Sequence, residues 1–216
     1  MIVVDLDGTI LDGRERHHAC YRRILESFGA EPLALARYWE LKRSRCNRRT
    51  VLGMSGVEDR YSEFMTQWLA TIESAEMLAL DRVHPGALEA LGQLRANGHR
   101  LALVTSRQHE GELFDQLAAL GLRSSFDHVV VAVGAETGVK KAAAYTDSGL
   151  PAACSAWIGD TEVDIEAARV LGAPSFAVCN GLRTRDYLAS LGPAFVDEDL
   201  ADLVRNHTSY PIGPKT

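Results

Sequence analysis

The stretch MIVVDLDGTILDG (residues 1–13) decides the fold, because a short apolar run in it is followed by two closely spaced aspartates. Ile2–Leu6 has the composition of a buried β-strand, and Gly8 follows at the point where the chain would turn away. Alternate side chains of a strand point to the same face, so Asp5 and Asp7 would lie close enough to repel each other. The fold must therefore compensate this repulsion or use it.

Length and composition limit the class of protein. The 216 residues, 46% of them apolar, are enough for one sizeable core or for a core domain that carries a smaller module. No apolar run is long enough to cross a bilayer, and residue 1 leads into the first strand without a leader pattern. The four cysteines are widely spaced and form no CxxC pair, which favours free thiols in a reducing compartment. We therefore expect a cytoplasmic protein without a membrane partner.

The charge is unevenly distributed along the chain. The net charge of −6 argues against nucleic acid as the main partner. Residues 14–50, however, contain ten Lys or Arg against four Glu, so this segment carries +6 and the remainder carries −12. A basic segment within an acidic chain favours recognition of a small anion.

Five short apolar runs predict a parallel sheet, because they are apolar throughout, as strands buried on both faces are. They are Ile2–Leu6, Leu101–Thr105, Val129–Val133, Ala156–Gly159 and Ser175–Cys179. Amphipathic helical patterns that stop at glycine separate several of the later runs. This alternation predicts a doubly wound, Rossmann-like α/β fold.

A long interruption, residues 13–82, separates the first two predicted strands. Its apolar residues recur at helical spacing, as in the stripe of Tyr21, Ile24, Leu25 and Phe28 and in the longer stripe of Tyr61, Phe64, Met65, Trp68, Leu69 and Ile72. An insertion of this length is too long for a simple crossover. We therefore expect an all-helical cap domain at 13–82 and an α/β core domain at 1–12 and 83–216.

Polar side chains follow the predicted strands at the edge where open α/β sheets bind their ligands. They are Asp5, Asp7, Thr105, Ser106, Lys140, Lys141, Asp160 and Asp164. Clustered carboxylates beside a lysine favour Mg²⁺, which takes oxygen ligands and leaves room for a substrate phosphate. Asp5 can then attack phosphorus to give an aspartyl-phosphate, while Asp7 exchanges protons with the leaving group and the attacking water. Thr105 and a lysine would hold the phosphoryl oxygens.

These segments resemble a known family. DLDGT, the hydroxyl of LVTS, a lysine before a helix, and GDTEVD occur in the order of the four motifs of the haloacid dehalogenase superfamily. The helical insertion after the first motif is similar to that of the group around phosphoglycolate phosphatase and β-phosphoglucomutase. The resemblance implies a Mg²⁺-dependent hydrolase with this fold. Dehalogenases of the superfamily lack the second aspartate, so Asp7 implies phosphoryl chemistry.

The resemblance also implies a role for each acidic residue. Asp5 would be the nucleophile and a metal ligand. Asp7 would be the acid/base and would offer its main-chain carbonyl to the metal, and Asp160 would be the third ligand. Thr9 and Asp164 would support the site.

Three residues would bind the phosphoryl group, namely Thr105, Ser106 and Lys140. The lysine is a choice between two neighbours, because relatives often have Lys-Pro where this chain has two lysines. Lys140 is chosen because it lies nearer to the turn at Gly138, and Lys141 remains the alternative.

Several of these residues also have a simpler interpretation. Thr105 is compatible with capping the following helix, and Asp164 with offsetting a helix dipole. His17, at the entry to the insertion, is either a hinge residue or a substrate contact. The basic run is either a solvated helix face or a source of substrate contacts, since arginine forks suit carboxylate and phosphate. The residues considered as contacts are Lys42, Arg45, Arg48 and Arg49.

The favoured function is a Mg²⁺-dependent phosphatase that hydrolyses a small phosphomonoester through an aspartyl-phosphate. The alternatives are a phosphomutase of the β-phosphoglucomutase type and a binding protein that retains the fold without turnover. The partner would be a small anionic phosphorylated metabolite. The sequence leaves open which metabolite this is and whether the chain is a monomer or a homodimer.

Overall fold

The computed structural model describes residues 1–151 and 154–207, and its largest feature is a six-stranded parallel sheet. In chain order the strands are β1 (Ile2–Val4), β2 (Leu11–Asp12), β3 (Arg82–Val83), β4 (Leu101–Thr105), β5 (His128–Val131), β6 (Ala156–Gly159), β7 (Ser175–Val178) and β8 (Phe195–Asp197). The large sheet has the order β5-β4-β1-β6-β7-β8, and β2 pairs with β3 separately. Because the chain order reverses at β1, the carboxyl ends of β1, β4 and β6 surround a topological switch point.

Helices connect these strands in the described ranges. They are α1 (Arg14–Ser27), α2 (Leu35–Arg43), α3 (Arg48–Gly53), α4 (Tyr61–Thr71), α5 (Ala75–Leu78), α6 (Ala87–Ala96), α7 (Glu110–Ala119), α8 (Gly138–Asp147), α9 (Glu162–Val170), α10 (Arg185–Ser190) and α11 (Leu200–Asn206). Short 3₁₀ helices occupy Glu58–Arg60 and Arg123–Ser125. Among the residues that the structure describes, no helix is both long and apolar enough to cross a membrane.

The predicted α/β fold is confirmed, and all five predicted strands are present. β4 and β6 have the predicted bounds, whereas β1, β5 and β7 end earlier than predicted. The sequence patterns did not predict β8 or α11. The strand β8 has three residues, of which only Asp197 is buried, so it lacks the continuous apolar run of the other strands.

The central strands β1, β4 and β6 are buried on both faces, as their uninterrupted apolar sequences predict. In the register of the sheet, Val3 lies beside Ala102 on one side and Trp157 on the other. These three side chains contribute to the core on one face, while Val4 and Ile158 contribute to the core on the opposite face. The centre of the sheet is therefore dry, and its polar residues are confined to the strand ends.

The chain divides into two compact units. One comprises Met1–Asp12 and the chain from Val83 onward, and the other comprises Gly13–Arg82. The assumed core domain also includes residues 152–153 and 208–216, which lie outside the described residues.

The second unit is built from α1 to α5, so the inserted region is helical. Its core packs Tyr21 of α1 against Tyr38 of α2, with ring centroids 4.5 Å apart, and includes Phe64 and Trp68 of α4. Leu69, which the apolar stripe placed on the same face as Trp68, is instead 45% exposed.

Helices α8 and α9 approach each other closely at Gly138, the first residue of α8. A Cβ atom on Gly138 would lie 2.4 Å from Cβ of Glu166 and 2.5 Å from the main-chain nitrogen of Ala167. The Gly138 N–H also donates to Oε2 of Glu166 at 2.7 Å. The absence of a side chain at residue 138 therefore sets the distance and the rotation of α8 against α9.

Replacing Gly138 by alanine should destabilise the protein, because the added methyl group meets main-chain atoms that cannot move aside. We expect Gly138→Ala to lower the free energy of unfolding by about 2 kcal/mol or more. The matched control is Gly92→Ala in α6, where an added Cβ meets nothing within 4 Å. That variant should be stabilised by up to about 1 kcal/mol, since alanine favours an exposed helix interior. Urea unfolding of both variants measures the difference, and equal effects would contradict the packing argument.

Candidate active site

Three buried polar side chains lie at the carboxyl ends of neighbouring strands. Asp5 follows β1, Thr105 is the last residue of β4, and Asp160 follows β6. Asp5 is 6% exposed, and the other two are at most 1% exposed. The main-chain N–H of Asp5 donates to the carbonyl of Ile158 in β6 at 2.9 Å. Residues that are far apart in the sequence are therefore brought together at one edge of the sheet.

Asp5, Asp160 and Asp164 form a buried carboxylate cluster, in which one oxygen of each residue lies within 4.8 Å of the others. The Nζ atom of Lys141 donates to Oδ1 of Asp5 at 2.6 Å and to Oδ1 of Asp164 at 2.7 Å. When all four groups are ionised, three carboxylates and one ammonium leave an excess of two negative charges. A divalent cation fits this site, because it would neutralise the excess and because carboxylate oxygens are its preferred ligands.

Burial and mutual repulsion shift the pKa values in the cluster. Burial, together with the charge of Asp164, raises the pKa of Asp5 above its ordinary value of 3.8, although Lys141 opposes the shift. Burial and the charges of Asp5 and Asp164 raise the pKa of Asp160 in the same direction. Burial alone would lower the pKa of Lys141, but Asp164 and Asp5 outweigh it and raise that pKa above its ordinary value. The lysine therefore stays charged, and the two aspartates carry charges that this environment disfavours.

The lysine in contact with the cluster is Lys141, whereas the phosphate-binding lysine chosen from the sequence is its neighbour Lys140. Lys140 has an exposed side chain, whereas Lys141 is 2% exposed. Thr137 caps α8 by accepting a hydrogen bond from the Lys140 N–H, so the helix begins at Gly138. Successive residues of a helix point about 100° apart. In this rotation of α8, it is the side chain of Lys141 that reaches the carboxylates.

Asp164 is occupied by donors from the protein itself. Its Oδ1 accepts from Lys141 and from the indole N–H of Trp157 at 3.2 Å. Its Oδ2 accepts from the hydroxyl of Thr161 at 2.8 Å and from the Thr161 N–H at 3.3 Å, as part of a capping box at the start of α9. Asp164 therefore both caps its helix and orients Lys141, which is more than compensation of a helix dipole.

Asp160 has a free oxygen. Its Oδ2 accepts from the main-chain N–H of Leu182 at 2.6 Å, and its buried Oδ1 has no hydrogen-bond partner among the described residues. Two glycines permit this close packing. A Cβ atom would lie 2.0 Å from Oδ2 of Asp160 if added to Gly8, and 2.2 Å away if added to Gly181. A buried carboxylate oxygen without a donor is the kind of atom that a cation would satisfy.

Asp7 is engaged by Arg107, and its carboxylate is not one of the three in the cluster. Nε of Arg107 donates to Oδ2 of Asp7 at 2.6 Å, and Nη2 donates to Oδ1 at 2.8 Å. The side chain of Asp7 is 25% exposed, whereas that of Arg107 is 3% exposed. The carboxylate of Asp7 is therefore partly accessible to solvent, while Arg107 fixes its orientation from the buried side.

The three predicted hydroxyl groups are in different environments. Thr105 does not cap the following helix, because α7 begins at Glu110 with His109 as its N-cap. The hydroxyl of Ser106 donates to the carbonyl of Ala135 at 3.0 Å. Oγ1 of Thr9 is buried and has no hydrogen-bond partner in the described part of the chain.

The predicted substrate-contact residues all belong to the helical unit, and three of them gather around Trp68. The ring centroid of Trp68 lies 5.6 Å from Nζ of Lys42, 5.1 Å from the guanidinium carbon of Arg48 and 5.6 Å from the ring of His17. The guanidinium of Arg49 instead lies 4.1 Å from the ring of Tyr61. Arg45, between α2 and α3, has a left-handed backbone (φ = 60°).

Sequence reasoning missed three contributors to the site, namely Arg107, Trp157 and the main-chain N–H of Leu182. Arg107 carried a signal, because it comes two residues after the end of β4, where ligand-binding residues are expected. Trp157 is an apolar strand residue by sequence, and a main-chain donor has no side-chain signature. Neither of these two could be recognised before the packing was known.

Comparison with known proteins identifies the family of this chain. The sequence pattern of the family described as haloacid dehalogenase-like hydrolase matches residues 2–178. A phosphoglycolate phosphatase of Synechococcus elongatus is 27% identical over 94% of this chain and 95% of its own length. One from Cereibacter sphaeroides is 30% identical over 79% of this chain and 81% of its own length.

A solved structure shows the same fold. A haloacid dehalogenase-like hydrolase from Streptococcus pneumoniae aligns with a TM-score of 0.75 at 18% identity, covering 95% of this chain and 96% of that one. At this identity the likeness shows the fold alone. The family assignment rests on the sequence match, which spans most of the chain. The chain therefore belongs to the haloacid dehalogenase-like hydrolase family.

Proposed function

We propose that this hydrolase is a Mg²⁺-dependent phosphatase that uses Asp5 as its nucleophile and acts on a small anionic phosphomonoester. The observation that carries the proposal is the position of Asp5, which is buried at the switch point of the sheet and bound by Lys141 at 2.6 Å. The phosphatase names of curated relatives support hydrolysis over phosphoryl transfer to a sugar.

The proposed reaction has two steps. In the first, a carboxylate oxygen of Asp5 attacks phosphorus, the bond to the leaving oxygen breaks, and Asp7 gives its proton to that oxygen. In the second, water attacks the phosphorus of the aspartyl-phosphate, Asp7 takes the proton from the water, and the bond between Asp5 and phosphorus breaks, so that the Asp5 carboxylate is restored and inorganic phosphate leaves. Lys141 holds Oδ1 of Asp5 throughout, which leaves Oδ2 as the oxygen we assign to the attack.

The carboxylates of Asp5 and Asp160 would hold the Mg²⁺ ion, together with the main-chain carbonyl of Asp7. Oδ1 of Asp160 has no hydrogen-bond partner among the described residues, which supports its assignment as a ligand. Both oxygens of Asp164 already accept hydrogen bonds, which favours a role for Asp164 beside the metal site and not as a ligand. The ion would supply positive charge against the carboxylates and the phosphoryl oxygens.

The phosphoryl oxygens would be bound by Thr105, Ser106 and Lys141. Thr105 is the last residue of β4, which neighbours β1 in the sheet, and Lys141 carries a charge that two carboxylates maintain. These donors would neutralise the charge that spreads over the phosphoryl oxygens in the transition state.

A second anionic group on the substrate is supported by the basic segment at residues 14–50, within the helical unit. Residues 14–50 carry a net charge of +6, and Lys42 and Arg48 lie against the same indole ring. Phosphoglycolate, which combines a phosphate with a carboxylate, is therefore the first substrate to test, as the names of the relatives also suggest. The four free cysteines would suit a reducing compartment such as the cytoplasm.

The first test is phosphate release from a panel of phosphomonoesters that includes phosphoglycolate. We expect release that requires Mg²⁺ and that Asp5→Asn lowers by more than about 10³-fold, because the amide cannot act as the nucleophile. Asp147→Asn, at the exposed end of α8, is the matched control and should retain full activity. Activity that survives in Asp5→Asn would remove the assigned nucleophile.

The second test compares the two lysines. Lys141→Met should abolish phosphate release and should lower the free energy of unfolding by about 3–5 kcal/mol, because it leaves buried carboxylates without their counter-charge. Lys140→Met should change the free energy of unfolding by less than about 0.5 kcal/mol, since the side chain is exposed. Phosphate-release assays and chemical unfolding measure both effects. Equal losses of activity in the two variants would contradict the placement of Lys141.

A further inference from the structure

The guanidinium of Arg107 grips the carboxylate of Asp7 with two parallel hydrogen bonds. Nε donates to Oδ2 at 2.6 Å and Nη2 donates to Oδ1 at 2.8 Å. This two-point contact fixes the plane of the carboxylate as well as its position, which a single hydrogen bond would not do. Arg107 stays charged and cannot itself exchange protons in the working pH range.

Arg107 is in turn held from behind. Its Nη2 also donates to Oε1 of Gln116 at 3.3 Å, and Gln116 is a buried residue of α7. The main chain of Arg107 follows β4, which pairs with β1 in the centre of the sheet. The orientation of the Asp7 side chain is therefore linked to β4 and α7, which are both regular elements of the same unit.

The burial of the pair is asymmetric. The side chain of Arg107 is 3% exposed, while that of Asp7 is 25% exposed. The arginine is therefore enclosed by protein, whereas the aspartate is accessible from the site. This difference fits a role in which Arg107 holds Asp7 and Asp7 meets the substrate.

We propose that Arg107 is a positioning residue that holds the carboxylate of Asp7 in the orientation from which it exchanges protons with the leaving oxygen and the attacking water. This inference rests on the proposed function, in which Asp7 is the acid/base. The proton passes from Asp7 to the leaving oxygen as the bond to phosphorus breaks, and it returns to Asp7 from water in the second step. Arg107 takes part in neither transfer.

The test uses two aryl phosphates of similar shape that differ in their need for proton donation. Phenolate is a poor leaving group and needs a proton, whereas p-nitrophenolate is stable as an anion and needs it much less. Arg107→Met should lower kcat/KM, which reports the first step and not the hydrolysis of the aspartyl-phosphate, by about 10²-fold for phenyl phosphate and far less for p-nitrophenyl phosphate, because a misplaced acid loses its effect. Arg107→Lys, which retains the charge without the fork, should lie between the wild type and Arg107→Met.

A double-variant cycle separates action through Asp7 from any other role. In the background of Asp7→Asn, the further change of Arg107→Met should alter kcat/KM for phenyl phosphate by less than about threefold, because the group it positions is already lost. A purely structural role would lower the rates for both substrates equally, and it would add to the effect of Asp7→Asn. Either of those results would overturn the inference.

Failure of the proposed function would give a different result. If Asp7→Asn lowers kcat/KM for both aryl phosphates equally, then Asp7 is not the acid and the proposed mechanism fails together with this inference. If Asp7→Asn discriminates between the substrates and Arg107→Met does not, only the role of Arg107 is wrong. Thermal unfolding shows whether each variant folds. Should Arg107→Met not fold, Gln116→Leu removes the support behind Arg107 and should show the same substrate discrimination to a smaller extent.

Discussion

The ammonium group of Lys141, bound between Asp5 and Asp164, is the interaction on which the site depends. Three carboxylates lie together in a region almost without solvent, and each charge there is costly unless it is compensated. Lys141 compensates one of them through two short hydrogen bonds. The remaining excess of negative charge makes the cluster suited to a divalent cation.

The fold supplies this arrangement through close approaches of the backbone. Gly138 lets α8 pack against α9, so that Lys141 and Asp164 meet from two helices. Gly8 and Gly181 surround the carboxylate of Asp160 at distances that no side chain would permit. The acids themselves follow adjacent parallel strands, whose carboxyl ends meet at one edge by the topology of the sheet. At each of these glycines, the space that a side chain would fill is taken by a neighbouring group of the site or of α9.

The sequence predicted the parts of this structure that depend on local pattern. Buried strands could be predicted because their apolar runs are continuous, and the acids at positions 5 and 160 could be placed because they follow two of those runs. The distinction between Lys140 and Lys141 could not be made, since it depends on the rotation of α8, which Gly138 and the cap at Thr137 determine. The contact of Arg107 with Asp7 could not be predicted either, because it joins residues that are distant in the chain. The strand β8 was missed because it lacks a continuous apolar run.

We propose that Asp5 and Asp160 together bind a divalent cation at the switch point of the sheet. The most direct measurement is a crystal structure of the protein with Mn²⁺, which accepts the oxygen ligands of Mg²⁺ and scatters anomalously. We predict an anomalous peak in contact with carboxylate oxygens of both residues, and its loss in Asp160→Asn. A map at saturating Mn²⁺ with no peak between these two side chains would contradict the account.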